Sequence, residues 1–340
     1  MDLKRNIEID MLRGIGILAM VAGHVYFGMY FDKFIHAFHM PLFFIISGFL
    51  YKKQDQSLYG ALKEVGKKAK RLLIPYVFFS IIAIIVWLLL DRPAGKDITK
   101  GLVSVIFVNT ENFPVSGALW FLTAMFFTYV FVLILDSLKY KWLRYVLLSF
   151  MVILGSIWKI IFNFRLPWGI DVALVAIFFF EIGSIIRRRM KLLELRWFVC
   201  AMIFVVAAVL SMINRYVNMR TLTYAIIPLS LFNAVALTVT LWNFCKWFKK
   251  CENKIVSFII KELAFIGKYS MVYLCLNQIV IKLLMNIETL FPSNITGNVR
   301  LIVVHTLVLV FAMGVLHLLT YVFRDKLSVL VGSQNIKVKS

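Results

Sequence analysis

The stretch RGIGILAMVAGH, residues 13–24, places an arginine and a histidine at the two ends of a run of small and apolar residues. Read as an α-helix, the eleven-residue offset turns about 1,100°, or three turns plus about 20°. Arg13 and His24 then share one face, about 16 Å apart along the axis. An ionisable residue inside so apolar a helix is costly and faces a bundle interior or a wet cavity. Arg13, near the helix end, can instead snorkel to the headgroups. His24 is too deep for that, so it is either a hydrogen-bonded bundle histidine or a functional one. Gly14, Gly16 and Gly23 flank the pair and permit close helix contact or close approach of a ligand.

The rest of the chain has the same character. Its 340 residues are 61% hydrophobic, and mean hydropathy is +0.87. A soluble domain is nearer half apolar. Runs of about 20 apolar residues recur throughout. They predict an all-α, polytopic membrane helix bundle of about ten transmembrane helices, because only helices span in such numbers at these lengths. The expected spans are 10–31, 34–51, 72–90, 118–135, 143–162, 168–186, 197–213, 222–243, 269–287 and 299–323.

The net charge of +21 would suggest a nucleic-acid partner in a soluble protein. Here the basic residues follow the spans instead. With the N-terminus inside, inner segments hold 27 Lys and Arg and outer segments hold 8. That bias predicts both termini cytoplasmic in a multi-pass protein of the cytoplasmic (inner) membrane, with no nucleic-acid partner. The apolar N-terminal stretch carries Arg13 and lacks an A-x-A-like end, so it does not read as a cleavable signal peptide. One transmembrane domain is expected over 1–325, followed by a cytoplasmic tail, 326–340. The 52–71 loop is basic and amphipathic, suited to the inner membrane surface or to an anionic ligand. Cys200, Cys245, Cys251 and Cys275 are scattered with no CxxC pair, which argues against a disulfide framework or a zinc site.

IDMLRGIGILAMVAGH (9–24) resembles the acyltransferase family 3 membrane proteins, which carry a basic residue, ten residues and then a histidine. FHMPLFFIISGFLY (38–51) is similar to the second-helix signature of a branch that includes fucose 4-O-acetylase-like enzymes. RLLIPY (71–76), ALWFL (118–122) and YLCLNQ (273–278) resemble the same branch. The resemblance implies transfer of an acyl group from cytoplasmic acyl-CoA, with acetyl-CoA favoured, to a sugar hydroxyl on an envelope polysaccharide or its lipid-linked precursor. It also implies a basic pair, R-x-x-R, in the first inner loop. The nearest match is Lys68 and Arg71, where lysine keeps the charge but loses the bidentate fork. Asn277 stands where related sequences often have histidine, so that motif is assigned no catalysis.

Acyl transfer to an alcohol needs a base for the hydroxyl proton. Histidine serves near neutral pH, which makes His24 the expected general base. The pantetheine arm of CoA reaches roughly 15–20 Å, by analogy with a short extended chain. The Arg13–His24 offset is similar, so CoA phosphates are expected at Arg13, Lys68 and Arg71, with the thioester at His24. Further substrate-binding candidates are His39 (outer mouth, by resemblance), Ser47, Trp120 (sugar stacking or interface anchor) and Asp10 (orienting Arg13, or an ordinary ion pair). His36 reads as interfacial. Its spacing from His39 is a weak metal signal, and no metal is expected. Asp171 is expected to be solvated near a span end. Glu181 is expected to pair with an arginine of 187–189, and Lys282 to line a cavity or snorkel. The competing readings are a small-solute transporter, akin to the membrane half of serine-transporting racemases, and a catalytically dead scaffold.

Overall fold

The computed structural model describes residues 6–52, 58–108, 114, 116–285, 297–325, 327 and 330. The expected tail, 326–340, lies outside them apart from Leu327 and Leu330. The described residues are helical, with one isolated antiparallel bridge, Asn218–Thr223. The fold class is therefore all-α, as the sequence predicts.

Two compact units divide the chain: Met1–Lys52 with Ala176–Ser270, and Lys53–Val175 with Met271–Ser340. The first holds α1 (Ile7–Val25), α2 (Met29–His36), α3 (His39–Leu50), most of α8 (Ile170–Arg188), α9 (Trp197–Ile213), α10 (Ile227–Phe248) and α11 (Lys254–Lys268). The second holds α4 (Leu58–Asp91), α5 (Gly95–Phe107), α6 (Trp120–Ser137), α7 (Lys141–Ile161), α12 (Ser270–Met285, all but its first residue) and α13 (Gly297–Asp325).

Seven helical stretches among the described residues are long and apolar enough to cross a membrane. They are α2 with α3, then α4, α6, α7, α8, α10 and α13. α9 and α12 are apolar but shorter. α1, which carries Glu8, Asp10 and Arg13, is not among them.

Local chemistry explains where helices and expected spans differ. Asn6 caps α1 by accepting from the Glu8 amide at 3.0 Å, and Glu8 and Asp10 favour the positive end of its dipole. The expected span 10–31 instead ends at Val25. Tyr26 (φ 69°) and Gly28 (φ 102°) leave helical space, and the chain restarts as α2. The 52–71 loop is not a separate surface helix: residues 58–71 run unbroken into the span, making α4 34 residues long. Two helices fall in segments read as connections. α5 occupies the outer segment, and α11 the inner one, where Asn253 caps it by accepting from Ile255 N (2.8 Å) and Val256 N (3.3 Å).

Glycines set the closest contacts in the first unit. A Cβ on Gly14 would meet the Leu263 carbonyl oxygen at 2.1 Å, and one on Gly267 would meet that of Asp10 at 1.7 Å. α1 and α11 therefore pack backbone to backbone. α3 and α8 repeat the device through Gly48 against Phe180 and Gly183 against Ile45. Arg187 donates to the Phe49 and Tyr51 carbonyls (3.2 and 2.8 Å), closing the C-terminal end of α3 with a cation.

Candidate active site

α1 is unbroken from Arg13 to His24, so the shared face expected from their spacing is present. At the Arg13 end, Arg13 Nη1 lies 3.6 Å from buried Asp10 Oδ1. Lys249 Nζ donates to Glu8 Oε1 at 3.2 Å nearby. Arg13 keeps a quarter of its side chain exposed (26%), enough to meet a ligand as well as Asp10.

At the other end, His24 is half-buried. His36, Arg220 and Asp32 are among the ionisable groups in its electrostatic reach. Gly23 faces the His36 ring: a Cβ there would make ordinary van der Waals contact with His36 Cε1, at 3.5 Å. His36 Nδ1 is 2.9 Å from the Asp32 carbonyl oxygen and 3.0 Å from Asp32 Oδ1. A carbonyl only accepts, so Nδ1 carries the proton, and in the neutral ring Nε2 is left as an acceptor. His39, buried at the start of α3, is held the same way, Nδ1 donating to the Ile35 carbonyl at 2.9 Å. The His36 and His39 rings meet edge to face at 4.9 Å between centroids.

The segment 214–226 completes the cluster. The Tyr216 ring lies 5.2 Å from that of His36. Asp32 and Asn218 lie beside its hydroxyl. Partial burial of the phenol, with Asp32 beside it, pushes Tyr216 up to about 12, so it stays a neutral donor at any working pH. Sequence reading missed this side of the site. It placed His36 at an interface and Arg220 among the outer-loop charges. The available signal was the i, i+4 spacing of Asp32 and His36 on one helix. Nothing local ties Tyr216 or Arg220 to residues nearly two hundred positions away.

The other expected site residues are placed as follows. Ser47 is half-buried beside Gly48, whose contact with Phe180 makes this a tight helix crossing. In the second unit, Lys68 Nζ sits 3.9 Å from the centroid of the Tyr129 ring, a cation–π contact, and Arg71 is exposed less than one turn further along α4. Trp120 is buried at the start of α6, edge-on to Phe121, rather than at an open interface. Two of the motif stretches meet there: Ala118 N donates to Gln278 Oε1 at 3.1 Å, and Ser116 Oγ to the Cys275 carbonyl at 3.1 Å. Asn277 turns inward, Nδ2 donating to the carbonyls of Tyr273 and Leu274. An apolar cavity of about 400 Å³ lies between α4, α5 and α6.

Asp171 is not solvated. It is fully buried and accepts from Arg165 Nε at 2.5 Å and Nη2 at 3.2 Å. Glu181 pairs with Arg188 at 2.7 Å, one of the arginines expected for it. Lys282 pairs with Asp91.

A family model described as an acyltransferase domain matches residues 6–320. The nodulation protein NolL of Mesorhizobium japonicum is 30% identical over 153 residues, a stretch covering 39% of this chain and 36% of that protein. The chain thus spans about a third of the length of that relative. No solved structure matches the chain.

Proposed function

The chain belongs to the acyltransferase family, and from that premise we propose that it is an integral-membrane O-acetyltransferase. It moves an acetyl group from cytoplasmic acetyl-CoA to a sugar hydroxyl of a cell-surface polysaccharide or its lipid-linked precursor. It sits in the cytoplasmic membrane with ten spans and both termini inside. The observation that carries the reading is α1 itself: one unbroken helix bearing Arg13 and His24 about 16 Å apart on one face.

The roles follow from that geometry. Arg13, a quarter exposed near the N-terminal end of α1, takes CoA phosphate. Lys68 and Arg71, three residues apart on α4, offer two cations of the kind that bind phosphate. His24 is the general base. It accepts the acceptor hydroxyl proton as that oxygen bonds to the thioester carbonyl carbon. The C–S bond then breaks, and the CoA thiolate leaves and is protonated. The polar groups around His24 support a site where proton transfer occurs, since a buried ionisable cluster in an apolar bundle is costly to maintain otherwise.

The deciding experiment follows acetyl-CoA turnover by the purified protein with glycan acceptors extracted from the host, comparing wild type with His24→Ala at matched folding. Acetyl on the glycan with wild type and none with the variant supports the reading. Transfer that survives His24→Ala keeps the enzyme and removes His24 as the base. No turnover with a competent acceptor sinks the acetyltransferase reading. The transporter alternative is not favoured by the family match; solute accumulation in vesicles tests it.

A further inference from the structure

We propose that Asp32 and His36 of α2, with Tyr216, Asn218 and Arg220 of the 214–226 segment, form a subsite that binds the sugar ring of the acceptor through its hydroxyls. The inference rests on the acetyltransferase reading and names where the acceptor of that reaction sits.

The 214–226 segment is built rather than merely connecting. Asn214, 1% exposed, donates through Nδ2 to Ser230 Oγ at 3.0 Å and accepts through Oδ1 from Ile226 N at 3.2 Å. Asn218 and Thr223 exchange both backbone hydrogen bonds, at 2.7 and 3.0 Å. Asn218 Oδ1 also caps the turn that follows by accepting from Arg220 N at 3.0 Å. Leu222 and Ala225 are held at φ 53° and 52°, a left-handed conformation that costs free energy in residues with side chains. An ordinary surface connection needs none of this.

The alternation of burial shows what the construction presents. Val217 and Met219 are buried, with Leu222 and Tyr224 beyond them. Tyr216 is exposed, and Asn218 and Arg220 are half-exposed. Asn218 is extended and Met219–Thr221 form a single helical turn; along both, the apolar anchors are buried and the polar residues keep exposed surface. Tyr216 meets α2 by its ring, 5.2 Å from that of His36, and Asp32 lies beside its hydroxyl. The result combines a carboxylate acceptor, an amide, a phenol, an imidazole and a guanidinium, with two ring faces among them. Paired donors and acceptors beside ring faces suit a polyhydroxylated ring. Gly23, the neighbour of His24 on α1, lies against the His36 ring, a Cβ on it standing 3.5 Å from His36 Cε1, so the subsite adjoins the proposed base.

A site built to hydrogen-bond a hydroxyl rejects the analogue that lacks it, because its own polar groups are left unpaired. That gives the test. The full-length protein is assayed with radiolabelled acetyl-CoA against methyl glycosides of neutral hexoses, 6-deoxyhexoses and N-acetylhexosamines. Binding of the same glycosides is followed separately by saturation-transfer NMR without acetyl-CoA. Tyr216→Phe keeps the ring and removes the hydroxyl; Arg220→Gln removes the charge. Each is expected to raise acceptor KM about tenfold with acetyl-CoA KM unchanged. In Tyr216→Phe, discrimination against one deoxy glycoside disappears, which a purely structural role would not produce. Unchanged acceptor KM and unchanged deoxy discrimination overturn the subsite, as does an equal rise in both KM values. So does a panel in which no glycoside binds or is acetylated. Glycoside binding that is lost in Tyr216→Phe, with no acetyl transfer by wild type, upholds the subsite and overturns the acetyltransferase reading instead.

Discussion

Gly267 lies so close to Asp10 that a Cβ on it would stand 1.7 Å from the Asp10 carbonyl oxygen. The contact joins α11 to α1 within one turn of Arg13, and Gly14 against Leu263 repeats it one turn further along. Both partners are backbone atoms, which cannot rotate away. Gly267→Ala must therefore push the helices apart or bend one, at a cost of about 3 kcal/mol or more. The expected outcome is a clear fall in the thermal midpoint of the detergent-purified protein. A midpoint within experimental scatter of wild type would mean that the helices do not approach this closely.

Arg13→Ala is expected to raise the acetyl-CoA KM by about 10- to 100-fold, the loss expected when a charge-assisted hydrogen bond to phosphate is removed. The fall in kcat should be smaller, because Arg13 lies about 16 Å from His24 and does not touch the reacting atoms. Arg13→Lys should recover part of the donor affinity, keeping the charge but not the fork. Steady-state kinetics with the donor varied checks this. Unchanged donor KM in Arg13→Ala removes the phosphate role.

Lys68 has a second partner besides any phosphate, the Tyr129 ring at 3.9 Å. The ring fixes the ammonium in place and so lowers the entropy lost on binding. Tyr129→Leu should then weaken donor binding about two- to fivefold with Lys68 intact, within the range of one cation–π contact. In a Lys68→Ala background, Tyr129→Leu should have no further effect. Additive losses in the double variant would show that the two side chains act independently.

Much of this was legible in the sequence, for physical reasons. Helix type followed from apolar run length, and α9 falls at 197–213 as expected. The Arg13–His24 face followed from helical pitch alone. What stayed hidden depended on contacts between distant segments or on single backbone angles. The break after Val25 rests on positive φ at Tyr26, a residue that rarely adopts it. α11 was overshadowed by the lysines around it, although Asn253 ahead of a periodic apolar run was a start signal. Arg220 read only as an outer-segment charge, and Tyr216 drew no reading, because the ring it meets lies on α2 and no local pattern encodes that meeting.

Asp171 carries the last prediction, and its burial sets the size of the effect. The carboxylate is wholly enclosed and accepts from Arg165 Nε and Nη2, from Leu166 N at 3.2 Å and from Val172 N at 2.8 Å. Removing one member of such a pair strands the other's charge, and the cost of a broken buried pair is about 3–5 kcal/mol. Asp171→Ala should therefore destabilise strongly. Arg165→Met should cost nearly as much, because it leaves the enclosed carboxylate facing only neutral donors. Removing both charges at once, in Arg165→Met with Asp171→Leu, leaves no stranded ion, so the double variant should be more stable than either single one. Thermal midpoints of the four proteins close the cycle. If the double variant loses as much as the two single changes added together, the pair is not coupled, and Asp171 matters only through the two backbone amides it accepts from.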